Sequence, residues 1–77
     1  MPIYRQTIKG LPLVMERQNL TPTVPIFMIS LQGDPVQFPM VYRKDYGGWI
    51  FVDKMTLIEF KAIEKDISAY LESMPGN

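Results

Sequence analysis

The sequence contains no cysteine and no histidine. Without cysteine there is no disulfide scaffold, no thiolate zinc site and no thiol nucleophile. Without histidine, the side chain most used for metal ligation, proton shuttling and activation of a serine is missing. An excess of one charge is missing too, because 8 Lys+Arg offset 8 Asp+Glu. Such a chain exerts no long-range pull on nucleic acid or on an anionic membrane. Long hydrophobic runs are absent as well. The longest strongly apolar ones are Ile26-Phe27-Met28-Ile29 and Trp49-Ile50-Phe51-Val52, whereas a membrane span needs about 20 such residues. The first residues, Met1-Pro2-Ile3-Tyr4-Arg5-Gln6, lack the basic and apolar regions of a signal peptide. These absences lead us to expect a complete small gene product, cytoplasmic, outside the membrane, with no cofactor and no metal.

What is present fits one small domain spanning residues 1–77, mainly β over 1–53 and helical over 56–74. The hydrophobic fraction of 47% with 21% charged residues is that of an ordinary globular chain. Thr56-Leu57-Ile58-Glu59 reads as a capping box, and Met55 with Phe60 has the spacing of a hydrophobic staple. From there Phe60, Ile63, Ile67, Tyr70, Leu71 and Met74 form one apolar stripe at helical spacing. Pro75-Gly76 ends it.

Upstream the period changes to two. Val36, Phe38, Met40 and Tyr42 share one face of an expected strand, and Gln37, Pro39, Val41 and Arg43 share the other. Pro39 cannot donate to a ladder, which predicts an edge strand or a bulge there. Phe27, Ile29 and Leu31 share one face of the preceding strand, and Gln32-Gly33-Asp34-Pro35 has turn chemistry. A second turn, Lys44-Asp45-Tyr46-Gly47-Gly48, leads into Trp49-Ile50-Phe51-Val52, which is apolar on both faces. Residues 3–9 and 13–18 have strand composition and form either one strand or a hairpin, and the proline-rich residues 19–25 read as a connecting loop. The expected fold is therefore α+β, an antiparallel meander of about four or five strands with one C-terminal helix packed on one face.

Catalytic chemistry is hard to assemble from these residues. Ser30, Ser68 and Ser73 have no histidine to activate them. Asp34 and Asp45 sit in turns, Asp53 precedes the helix, and Glu16 lies on an expected strand, so local structure accounts for the acidic residues. We expect no catalytic residues and no enzyme. Met28, Val41, Ile50 and Val52, together with Ile26, fall on strand faces opposite those assigned inward. One helix covers one sheet face, so these residues predict an apolar patch on the other, the mark of an interface. Six methionines suit a surface that re-packs around a partner. The preferred function is a small protein-binding module, homodimeric, acting as an accessory protein or an inhibitor of a larger partner.

The alternative is single-stranded nucleic-acid binding through Tyr42, Arg43, Lys44, Tyr46 and Trp49, with aromatics stacking bases and cations pinning phosphates. A strand meander followed by one helix resembles the outline of the Whirly-type single-strand binders, a likeness in the order of elements alone.

Overall fold

A computed structural model describes residues 2–74. The chain first reverses at Lys9-Gly10, where both residues have positive φ, 50° and 85°. That is the geometry a two-residue hairpin between right-twisted strands requires. It makes residues 3–18 a hairpin of β1 (Ile3–Ile8) and β2 (Leu11–Thr21), paired from Ile8↔Leu11 to Ile3↔Glu16. Three more strands follow in antiparallel order, β3 (Val24–Leu31), β4 (Phe38–Arg43) and β5 (Gly48–Phe51). Two helices end the described chain, α1 (Ile58–Ala62) and α2 (Glu64–Glu72). The result is the α+β meander with a C-terminal helical segment that the alternation predicts. Among the described residues no helix is long and apolar enough to cross a membrane.

Strand parity decides what is inside. Leu13, Met15, Phe27, Ile29, Phe38, Met40, Trp49 and Phe51 share the face that α1 and α2 cover, and Phe60, Ile67 and Leu71 meet them from the helices. Rings interlock along this layer. Phe27 meets Trp49 edge-on at 5.0 Å, and Phe60 lies 5.9 Å from Phe51 and 5.8 Å from Phe38. Such pairs add a little beyond the area they bury.

Several local expectations are corrected. Residues 19–25 are not a loop, because strands run through them and leave only Pro22 and Thr23 between β2 and β3. The pairs Asn19↔Pro25 and Thr21↔Val24 show that β2 absorbs Leu20 as one extra residue, a bulge that lets the ladder continue. Val36 does not belong to β4 and is exposed.

Pro39 lies on an interior strand, paired with Met28. Backbone polarity explains how it is tolerated. The Trp49 and Phe51 amides point away from β4 onto α2, so Val41 and Arg43 are the β4 residues whose polar groups face β5. By the same alternation the Pro39 nitrogen faces the β5 side, where β5 has already ended at Phe51, opposite Met40. No donor is needed there.

The capping box does not form. The Thr56 hydroxyl donates to the Asp53 carbonyl at 2.6 Å, while Asp53 Oδ1 accepts the Met55 amide at 2.8 Å. The turn before the helix is thus built on Asp53, whose side chain mimics a backbone turn. Met55 is 78% exposed and staples nothing. Helix begins at Ile58 rather than Thr56 and breaks once at Ile63, where φ is −112° and ψ 19°. Phe60 before the break and Ile67 and Leu71 after it are all buried, so the apolar stripe holds across it.

Candidate protein-interaction surface

The second face of the sheet is built by the residues of opposite parity. Register places Ile26 beside Val41 and Val41 beside Ile50, and sets Met28 beside Pro39 in the adjoining row. Five apolar side chains on three neighbouring strands therefore share one face. None is fully buried, and α1 and α2 lie on the other side. Met28, Val41 and Ile50 are thus brought together as the alternation predicts. Val52 is 51% exposed and lies one residue past the end of β5, in phase with Ile50 but outside the ladder.

The rim of this patch is polar and carries both signs of charge. On the β1–β2 side, Arg5 pairs with Val14, and Ile3 with Glu16. Glu16 also accepts a hydrogen bond of 3.3 Å from Gln37. That bond crosses β3, where Met28 is the register partner of Glu16.

The two edges of the sheet are treated differently. At β5, Ser68 Oγ accepts the Trp49 amide at 2.9 Å and Glu64 Oε2 accepts the Phe51 amide at 2.7 Å. The spacing is what makes this work. Four residues of helix rise about 6.0 Å, close to the roughly 6.8 Å between alternate amides of a strand. A Glu and a Ser at i and i+4 on α2 therefore match two successive outward amides of β5. Unpaired edge amides invite another strand, and here the helix occupies them. In the sequence, the usable signal for this pair is the i, i+4 spacing of Glu64 and Ser68 beside the apolar stripe.

The basic-aromatic segment is dispersed. Trp49 is 5% exposed and belongs to the core, while Tyr42 is 50% and Tyr46 67% exposed. Arg43 forks onto Asp45 at 3.0 and 2.8 Å and lies 5.1 Å from the centre of the Tyr46 ring. The hydrogen bond from Arg43 is the main cause holding the Asp45 carboxyl below its ordinary range. Arg43 is thereby committed to a carboxylate. Lys44 opens the short 3-10 turn Lys44–Tyr46 and is exposed. Of the five residues, Tyr42 and Tyr46 alone offer substantially exposed rings, and Lys44 a cation with no carboxylate partner among the described residues.

At the far end of the sheet a groove of about 580 Å³ opens, lined by Thr23, Val24, Pro25, Tyr42, Trp49 and Glu72. Its origin is Pro25. The β3–β4 ladder stops at Ile26↔Val41, and the next residue of β3 has no amide hydrogen to continue it. The strands part there, between Pro25 and Tyr42. Val24, Pro25 and Glu72 are not recognisable as a group in the sequence, because they come from the start of β3 and the end of α2, far apart in the chain.

No family model, curated protein or solved structure matches the chain.

Proposed function

We propose that the protein is a non-enzymatic binding module that self-associates through the uncovered sheet face, and that the dimer acts as an accessory protein or inhibitor of a larger partner. One observation carries this reading: Ile26, Met28, Pro39, Val41 and Ile50 stand side by side on a face that neither helix covers among the described residues. A contiguous apolar patch with a polar rim is what an interface core presents.

A second copy is the occupant that the charges favour. A net charge of 0 imposes no mutual repulsion on two copies. A twofold interface pairs residue i with j and j with i, so a rim bearing both Arg5 and Glu16 can satisfy itself twice. The occupied β5 edge adds to this, since it turns association away from strand addition at that side and toward the face.

The test is oligomeric state. Sedimentation at micromolar concentration is expected to show a dimer of the 8.9 kDa chain. Val41→Glu is expected to weaken association by about two orders of magnitude, because it places a charge in the centre of the apolar patch. The variant stays folded, as Val41 is half-buried and outside the core cluster. A monomeric parent protein, or a dimer indifferent to Val41→Glu, overturns the reading. Fluorescence anisotropy with a labelled single-stranded oligonucleotide at low salt is expected to show no binding, since Trp49 is buried and Arg43 is paired. Saturable binding there, strongest at low salt, would favour the nucleic-acid reading instead.

A further inference from the structure

The groove beside Glu72 carries a chemistry of its own. Tyr42 and Trp49 meet edge to face at 5.8 Å, and the half-exposed Tyr42 ring borders the opening. Val24 and Pro25 add apolar lining. Glu72 stands at the mouth, in the last turn of α2, where no basic residue accompanies it. A helix C-terminus already bears partial negative charge, so a carboxylate there is unfavourable for the helix and the local field is negative twice over. Among the described residues no hydrogen bond or ion pair occupies this carboxylate. Lys65 lines the adjoining groove, which shares Trp49 and Glu72, and it forms no ion pair with Glu72 either.

The same fold shows what such an arrangement holds. Arg43 forks onto the Asp45 carboxylate with its guanidinium over the Tyr46 ring. The groove presents the carboxylate and the aromatic ring without the arginine. A planar guanidinium suits both parts, since it stacks on rings and forks onto carboxylates, and its methylene stem lies against apolar walls. A volume of about 580 Å³ admits such a side chain with part of the backbone that carries it.

We propose that this groove is a second binding site, which takes the side chain of an arginine presented by a partner polypeptide. The site extends the protein-binding reading to another surface and does not depend on self-association through the sheet face.

The test is a titration of 15N-labelled protein with acetyl-arginine amide and, separately, with the uncharged citrulline counterpart of nearly the same shape. Saturable shifts are expected at Val24, Tyr42, Glu72 and the Trp49 indole, with the arginine probe bound about fivefold or more tighter than the citrulline one. Glu72→Gln is expected to bring the arginine probe down to the affinity of the citrulline probe. It is also expected to raise the thermal midpoint, because it removes a negative charge from a helix C-terminus. A merely structural role for Glu72 would not move binding and stability in opposite directions. Val41→Glu is expected to leave probe binding unchanged, which separates this site from the dimer interface. Equal affinity for the two probes, or arginine binding indifferent to Glu72→Gln, overturns the proposal.

Discussion

Phe27→Ala is expected to destabilise the fold by about 3–5 kcal/mol, the range for emptying a fully buried aromatic site. A chain of 77 residues has roughly 4–12 kcal/mol in total, so this one substitution removes a large share. The position explains the size of the effect. Phe27 is fully buried on β3, the central strand, between Met40 on β4 and Arg17 on β2. Its ring packs edge-on against Trp49 at 5.0 Å and lies 6.3 Å from Tyr4, which joins β1 to β5 across the sheet. Phe27→Leu keeps most of the volume and loses the ring contacts, and is expected to cost about 1–2 kcal/mol. Urea denaturation followed by the fluorescence of the single tryptophan measures both. A loss under about 1 kcal/mol for Phe27→Ala would show that the layer between sheet and helices is not organised around this ring.

What could be read from the sequence was whatever repeats with a period. Alternation put Met40 and Phe38 inside and Val41 outside. The i, i+3, i+4 spacing of Phe60, Ile63, Ile67 and Leu71 found the helical stripe, and it survives a break at Ile63 that no residue type announces. Three of the four residues proposed for the interface take their place on the second face from parity alone, since Met28, Val41 and Ile50 are each one step out of phase with a core neighbour. The misreadings came where one residue type serves two geometries. Proline reads as a breaker, yet Pro39 sits in a strand because its missing amide hydrogen faces a place where β5 has ended, and Pro25 sits in β3 through its pairing with Asn19 while the ladder to β4 stops beside it. Thr56 followed by Glu59 reads as a cap, yet the Asp53 side chain reaches the backbone first and makes a turn. Trp49 reads as an exposed stacking ring beside basic residues, but strand parity with Phe51 turns it into the core.

The physical arrangement also narrows how the molecule can meet others. A small sheet has two faces and two edges at which to make contact. Here the helices take one face through Phe60, Ile67 and Leu71, and the α2 side chains Glu64 and Ser68 take the β5 edge. The β1 edge remains, with Ile3, Arg5 and Thr7 as the residues whose backbone groups point outward by the alternation that Arg17 N–H to Pro2 C=O fixes. Arg5 at its middle is a charge of the kind that blunts an exposed edge. The apolar face carried by β3, β4 and β5 then has no covering helix among the described residues.

Gly48→Ala tests how the β5 edge is held, and is expected to cost about 2–6 kcal/mol. A methyl group at Gly48 would collide with Ser68 Oγ, the atom that accepts the Trp49 amide. Two costs follow together: overpacking of about 1–3 kcal/mol, and a buried amide left without its acceptor, about 1–3 kcal/mol. Ser68→Ala alone removes the acceptor and is expected to show only the second cost. The Ser68 Cβ would lie 3.6 Å from the added methyl, an ordinary contact, so the clash disappears once the hydroxyl is gone. The double variant should therefore be more stable than the sum of the single losses implies, by about the whole cost of Gly48→Ala, roughly 2 kcal/mol or more in a double-mutant cycle. Any backbone cost of alanine at position 48 is common to both arms of the cycle and cancels. Light scattering should rise for Gly48→Ala, because a displaced Ser68 exposes an edge amide to another strand. Strict additivity of the two losses would mean that Ser68 and Gly48 do not meet, and that something other than α2 guards this edge.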